Sequence, residues 1–442
     1  MELHPGSRVT TDKILQAIRR HQPPFYLYDE FTILQKCDTV LSMPNAYGLS
    51  VFYAMKANGN KALLQLITGR GLGVDTSSLN EARRAHLAGV PLNRMMLTTQ
   101  EIPLGDDRSD LENMILQGLR YNVCSLRQLE LIADFATQNK VRLSMRIHPG
   151  LGSGESATRN TGNDYACFGV HLTDIEKAID FARSRDLVID ELHSHIGSGG
   201  DPQVWRQNID RELDFVGKYF PDVEMVNLGG GFKEARMPDE KSADIQELGR
   251  YAKGRFEEFF IKTGRKLTMA VEPGTFIMAT AGYIVATVID KKQTGPQGYE
   301  FLVLDAGMEA NARPLMYGSR HPFYIISKDG TLLSNEFTLT DSGAGADSRV
   351  VVGRCCESGD SQCLDISGKI LPRKMAEPEI GDYVIIGGAG AYCSSMAPFN
   401  YNSYTQIAEL LLRESGDVDV IREDQKLEQI VVNEKGLPGF GG

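Results

Sequence analysis

From about Val51 to Ala270 short apolar runs alternate with segments of helical periodicity, and this restricts the chain more than any other feature. The runs are Val51–Met55, Arg94–Leu97, Val141–Ile147, Leu187–Leu192, Glu224–Leu228 and Thr268–Val271. Between them, Asn80–Ala88, Leu126–Gln138, Asp174–Ser184 and Ser242–Thr263 space their apolar residues as amphipathic helices do. Strands separated by helices pair in parallel, and the helices cover the sheet. The number of units suits a closed (β/α)8 TIM-like barrel; a doubly wound open sheet is the alternative.

After Gly282 the pattern changes. Ile284–Ile289, Glu300–Leu304, Arg349–Val352 and Asp382–Ile386 are β-type runs divided by Gly, Pro, Asp and Ser clusters, as in a mostly antiparallel β domain. Three parts are expected: 1–45, whose strand near Pro24–Tyr28 joins the β domain; 46–282, the barrel; and 283–442, the β domain. Ser342–Ser348 reads as a glycine-rich loop, and the charged tail from about Asp417 as partly disordered.

Composition excludes several function classes. A net charge of -11 with no dense basic run argues against a nucleic-acid partner. No apolar run has the length of a membrane span or the form of a signal peptide. The seven cysteines are scattered, without a disulfide framework or zinc-ligand spacing, so a cytoplasmic protein without a bound metal is expected.

Barrels of this kind gather active-site groups at the C-terminal ends of their strands. Lys56 follows the first run, and Asp75 closes Gly73-Val74-Asp75, where a helix N-cap is the plainer reading. His193 and His195 follow Leu187–Leu192, with Ser198 shortly after. Gly229, Gly230 and Gly231 follow Val226-Asn227-Leu228 and permit close backbone approach to a phosphate. Glu272 precedes Pro273, Gly274 and Thr275 after the last barrel run. An amine, an acid, an anion cradle and an imidazole at separate strand ends suit pyridoxal 5′-phosphate, which needs one of each.

With these residues in place, the chain resembles the fold-type III pyridoxal-phosphate decarboxylases. It is most similar to the diaminopimelate decarboxylases and more distantly to those for ornithine and arginine. The resemblance runs from Pro24 to about Leu412. Its segments include Tyr53–Asn58, His195–Ser198, Leu228–Phe232, Glu272–Gly274, Asp305–Met308, Arg313–Tyr317, Cys356–Asp360, Gly390–Tyr392 and Asn400–Ser403. It implies that Lys56 forms the Schiff base, His195 stacks on the ring, and Glu272 pairs with the pyridine nitrogen. It further implies that Asp75 lies at the cofactor, and that Ser198, Gly229, Gly230, Gly231, Gly274, Thr275 and Tyr392 hold the phosphate. Cys356 becomes the catalytic cysteine, contributed across a homodimer interface, and Arg313, Tyr317, Glu357 and Tyr392 meet the substrate.

The implied reaction is decarboxylation of meso-2,6-diaminopimelate to L-lysine. Two departures qualify it. Thr275 stands where the family has arginine, so a related enzyme with another amino-acid substrate is the alternative. Cys167 replaces a lysine that relatives pair with an acid near the catalytic cysteine, which leaves Asp360 to find another partner or face solvent. An inactive regulatory homologue fits less well, because Lys56, the glycines and Cys356 are all present.

Overall fold

The structure is a computed structural model that describes residues 3–4, 6–154, 160–163, 166–338 and 347–438. These fall into two compact units, Ile33–Ala235 with Lys241–Ile277, and Met1–Thr32 with Arg236–Glu240 and Met278–Gly442. The division falls at 32/33 and 277/278, earlier than the 45/46 and 282/283 read from the sequence. Residues 236–240 are a further excursion into the second unit.

Strand β1 (Phe25–Asp29) belongs to the second unit. The first unit is a closed parallel barrel of eight strands. These are β2 (Leu49–Ala54), β3 (Gly73–Thr76), β4 (Met95–Thr98), β5 (Arg120–Val123), β6 (Arg142–Arg146), β7 (Val188–His193), β8 (Met225–Asn227) and β9 (Thr268–Val271). Helix Leu126–Asn139 shows how the outer layer forms. Ser125 Oγ accepts from Gln128 N at 3.1 Å to cap its start, and Leu129, Ile132, Ala133 and Ala136 bury one face.

Strand β5 was not evident as an apolar run, because Arg-Tyr-Asn-Val breaks the pattern. Asn122 is nevertheless wholly buried: its Nδ2 donates to Thr98 Oγ1 at 3.1 Å and its Oδ1 accepts from Ser144 Oγ at 3.0 Å. Arg120 pairs with Asp190 at 2.7 Å. The barrel interior therefore contains a satisfied polar layer, which apolar periodicity does not report.

The second unit adds β10 (Gly282–Gln293), β11 (Glu300–Leu304), β12 (Phe323–Ile326), β13 (Leu332–Asn335), β14 (Asp347–Val352), β15 (Arg373–Met375), β16 (Tyr383–Ile386), β17 (Ala408–Leu412) and β18 (Val418–Arg422). One run of the sheet orders as β13-β12-β16-β10-β1-β17-β18, while β10 also pairs with β11, which continues to β14 and β15. Most pairings are antiparallel; β1–β17 and β11–β14 are parallel. Phe25 and Leu27 of β1, Val285, Tyr324, Ile385 and Leu410 share a core with the helix residues Ile14 and Ala17. The tail departs from its expected disorder: β18 pairs with β17, and Leu427–Val431 is helical. Of the glycine-rich stretch, 342–346 lie outside the described residues, whereas Asp347 and Ser348 begin β14. Residues 439–442 also lie outside them.

Candidate active site

Lys56 sits just past β2 in the tight turn Met55–Ala57, at the barrel's C-terminal edge. Its Nζ is 3.4 Å from Asp75 Oδ2 and 3.5 Å from Ser77 Oγ. The lysine side chain is 41% exposed, its acidic partner only 1%. Asp75 is no N-cap: the helix after it is capped by Ser78, whose Oγ accepts from Glu81 N at 3.1 Å. Asp75 Oδ1 meets no hydrogen-bond donor among the described residues. Burial, then Glu272, raises Asp75 to about 7 against the pull of Lys56.

Glu272 follows β9 and is buried, yet it is held as an anion. Burial acts to raise its carboxyl, but His193, then Lys56 and His195, reverse that and keep it below the ordinary range. Its Oε1 accepts from Asn227 Nδ2 at 2.9 Å and lies 3.1 Å from His193 Nε2. Burial lowers His193 against the opposing pull of Glu272. The neutral ring therefore donates through Nε2–H, and Nδ1 meets no donor among the described residues. His195 is lowered well below its usual value by burial, then by Arg146 and Lys56. Its Nδ1 accepts from Gly230 N at 3.0 Å, which fixes the ring across the glycine run.

The glycines are required by space. A Cβ on Gly229, which has φ +64°, would lie 2.4 Å from Ser194 O; on Gly230, 2.7 Å from Glu272 O; on Gly231, 2.9 Å from Gly197 O. Their amides are not equivalent, which refines the expected cradle. Gly229 N donates to Asn227 Oδ1 at 3.0 Å and Gly230 N to His195, so these two shape the cleft from within. Gly231 and Ser198 make no hydrogen bond among the described residues. Gly274 and Thr275 lie where the short helix Thr275–Met278 begins.

These groups fit pyridoxal phosphate. An exposed amine stands beside a buried acid with an unsatisfied oxygen, a second acid is kept ionised by the hydrogen bonds and charge around it, and uncommitted donors accompany glycines that admit no side chain.

The remaining expected residues lie in the second unit, and three of them gather there. Arg313 is buried, donates from Nη2 to Ser319 Oγ at 3.2 Å, and has its guanidinium carbon 5.8 Å from the Tyr317 ring and 6.0 Å from that of Tyr392. Tyr392 adopts φ 60°, the left-handed region that non-glycine residues seldom occupy.

Cys355 is buried and Cys356 exposed, in a turn beyond β14. Burial, then Glu309 and Asp360, raises the Cys355 thiol. Asp360 does not face solvent: it accepts from Met308 N at 2.6 Å and Cys355 N at 2.7 Å. Cys356 N donates to Asn402 Oδ1 at 2.8 Å, and Tyr401 Oη donates to Glu357 Oε2 at 3.1 Å. Glu309, Cys355 and Asp360 lie close enough to share an ion, but Gly307 N and Arg354 Nε already donate to Glu309.

Sequence reasoning brought His193 to the barrel mouth without a role, and missed Asn227 and Glu191 as parts of the site. The signal was a polar residue inside an otherwise apolar strand, which in a barrel marks an interior group that needs a partner.

Residues 33–279 match the family model described as pyridoxal-dependent decarboxylase, pyridoxal binding domain. The diaminopimelate decarboxylase of Methanothermobacter thermautotrophicus is 30% identical over 416 residues, covering 92% of this chain and 90% of its own. A crystal structure of diaminopimelate decarboxylase superposes with TM-score 0.86 at 27% identity, covering 97% of this chain and 98% of the other. The Helicobacter pylori enzyme complexed with L-lysine gives TM-score 0.78 at 25% identity, over 95% and 99%. The chain belongs to the pyridoxal-dependent decarboxylases and is an amino-acid carboxy-lyase whose cofactor is pyridoxal 5′-phosphate.

Proposed function

We propose that this enzyme removes one carboxyl group from meso-2,6-diaminopimelate, releasing L-lysine and carbon dioxide. The observation that carries this reading is near full-length similarity to diaminopimelate decarboxylases; the resemblance of Arg313–Tyr317 and Cys356–Asp360 to the family's substrate segments supports it. When bound, pyridoxal phosphate supplies a sink for the electron pair left as the Cα–carboxylate bond breaks.

The chain's residues divide the remaining work. Lys56 would hold the cofactor through Nζ, and the amine it frees to a substrate amine would lie 3.4 Å from Asp75 Oδ2. Glu272 keeps the pyridine nitrogen protonated, and His195 packs against the ring. Gly231, Ser198, Gly274, Thr275 and the Tyr392 hydroxyl bind the phosphate, while Gly229 and Gly230 make room for it. Arg313, Tyr317 and Glu357 read the end of the substrate remote from the bond that breaks. Cys356 returns a proton from Sγ to Cα after carbon dioxide leaves.

The working form is a homodimer in which each barrel receives Cys356 from a second copy. A cytoplasmic setting belongs to the same reading, supported by free thiols at all seven cysteines. No described helix is long and apolar enough to cross a membrane.

Thr275 favours a second reading, in which the substrate lacks a second carboxylate, because a hydroxyl does not replace a bidentate arginine. Carbon dioxide release from meso-diaminopimelate, D- and L-lysine, ornithine and arginine separates the two. The first reading expects meso-diaminopimelate to lead, with Thr275→Arg raising its turnover. Preference for a monocarboxylic diamino acid would replace it with the second.

A further inference from the structure

We infer that Asn227 is a positioning residue that sets both the aim and the charge of Glu272 toward the cofactor ring. This rests on the reading that Glu272 pairs with the pyridine nitrogen.

Asn227 ends β8 and is wholly buried. Its Nδ2 donates to Glu272 Oε1 at 2.9 Å and to Glu191 Oε1 at 3.1 Å, while its Oδ1 accepts from Gly229 N at 3.0 Å. Both N–H groups and the carbonyl are thus engaged. The amide cannot be turned over, since its oxygen alone can meet the Gly229 N–H, and the reverse would set oxygen against the Glu272 carboxylate. One side chain therefore links the acid to the first glycine of the cradle.

The amide also manages two acids in one buried place. Glu191 and Glu272 lie within 3.1 Å of the same nitrogen, and two anions there would oppose each other. The surroundings divide the charge unequally. His193, Lys56 and His195 act on Glu272, whereas Glu191 has Arg120 opposing its burial and Asp190 adding to it, and is raised to about 8. Of the two acids Glu272 is the one its surroundings favour as the anion, while burial opposes the charge of Glu191 even with Arg120 Nε 3.2 Å from its Oε2. Removing the Asn227 donor weakens the Glu272 carboxylate's hold on its charge. The shared proton then moves from the ring nitrogen toward the carboxyl group.

The test uses holoenzyme loaded with pyridoxal phosphate labelled with ¹⁵N in the ring, read by NMR across neutral pH. Wild type is expected to show a protonated nitrogen. Asn227→Leu, and Asn227→Ser should the first fail to fold, are expected to move the signal toward the unprotonated position and lower kcat roughly 10-fold or more, with little change in KM. Glu191→Gln, neutral by construction, is expected to keep the wild-type signal at pH 7. If both Asn227 variants keep the wild-type ¹⁵N signal and kcat, the inference is overturned while the role of Glu272 stands. If Glu272→Gln itself leaves the nitrogen protonated, the underlying reading fails instead.

Discussion

His193 Nε2 lies 3.1 Å from Oε1 and 3.2 Å from Oε2 of Glu272, so a neutral imidazole straddles the carboxylate of a buried acid. A hydrogen bond to a charged group contributes more than one between neutral groups. His193→Gln, which retains a donor, is expected to keep most of the activity. His193→Phe leaves Glu272 with Asn227 and is expected to lower kcat by about 10-fold or more. Steady-state kinetics on the two variants checks this, and equal activity in both would show that the donor is dispensable.

A set of buried acids makes stability depend on pH in a definite direction. Burial raises Glu212 to about 8, with Ser194 opposing, and raises Glu191 to about 8 as well. Between the unfolded carboxyl value, about 4.3, and these raised values the folded chain binds more protons than the unfolded one. Their contribution is therefore complete at low pH and declines as pH rises toward 8. Glu212→Gln cannot ionise and is expected to raise the melting temperature relative to wild type more at pH 8 than at pH 5. Calorimetry at the two pH values checks it; an equal shift at both would mean that Glu212 is already ionised in the fold.

The cradle glycines give a steric prediction. Gly229→Ala places a methyl 2.4 Å from Ser194 O in a backbone with φ +64°. The left-handed conformation alone costs about 1–2 kcal/mol. Weaker cofactor binding, by at least tenfold, and a lower melting temperature are expected, measured by absorbance titration of apoenzyme and by thermal scan. Gly254→Ala, where a Cβ meets nothing within 4 Å, serves as the control.

The paired cysteines should behave differently. Cys356 is exposed with its backbone pinned by Asn402, whereas Cys355 Sγ lies buried 3.3 Å from Glu309 Oε2. Cys356→Ala is expected to retain bound cofactor while turnover falls by about 10²–10⁴-fold. Cys355→Ala is expected to retain most of it. Turnover with product deuteration in heavy water distinguishes them, and a fully active Cys356→Ala would remove this thiol as the proton donor.

Much of this was legible in the sequence because a barrel brings strand ends together. Lys56, Asp75 and Glu272 follow or close short apolar runs far apart in the chain, and they meet at one mouth. What stayed hidden was the polar interior. Arg120–Val123 did not read as a strand because Asn122 points to Thr98 and Ser144, and Asn227 and Glu191 passed as interruptions of apolar runs. Hydrophobic periodicity reports where side chains are dry, not where buried donors meet acceptors. The tail misled for a related reason: charged residues at 417–424 suggested disorder, yet β18 pairs with β17 and its alternate residues Val418 and Val420 reach the core.

The most direct measurement of the central claim is borohydride reduction of the yellow holoenzyme, followed by peptide mass spectrometry. The reduced pyridoxyl group is expected on the peptide containing Lys56, with no fixed label in Lys56→Ala. Label on another lysine, or a protein that takes up no pyridoxal phosphate, would contradict it.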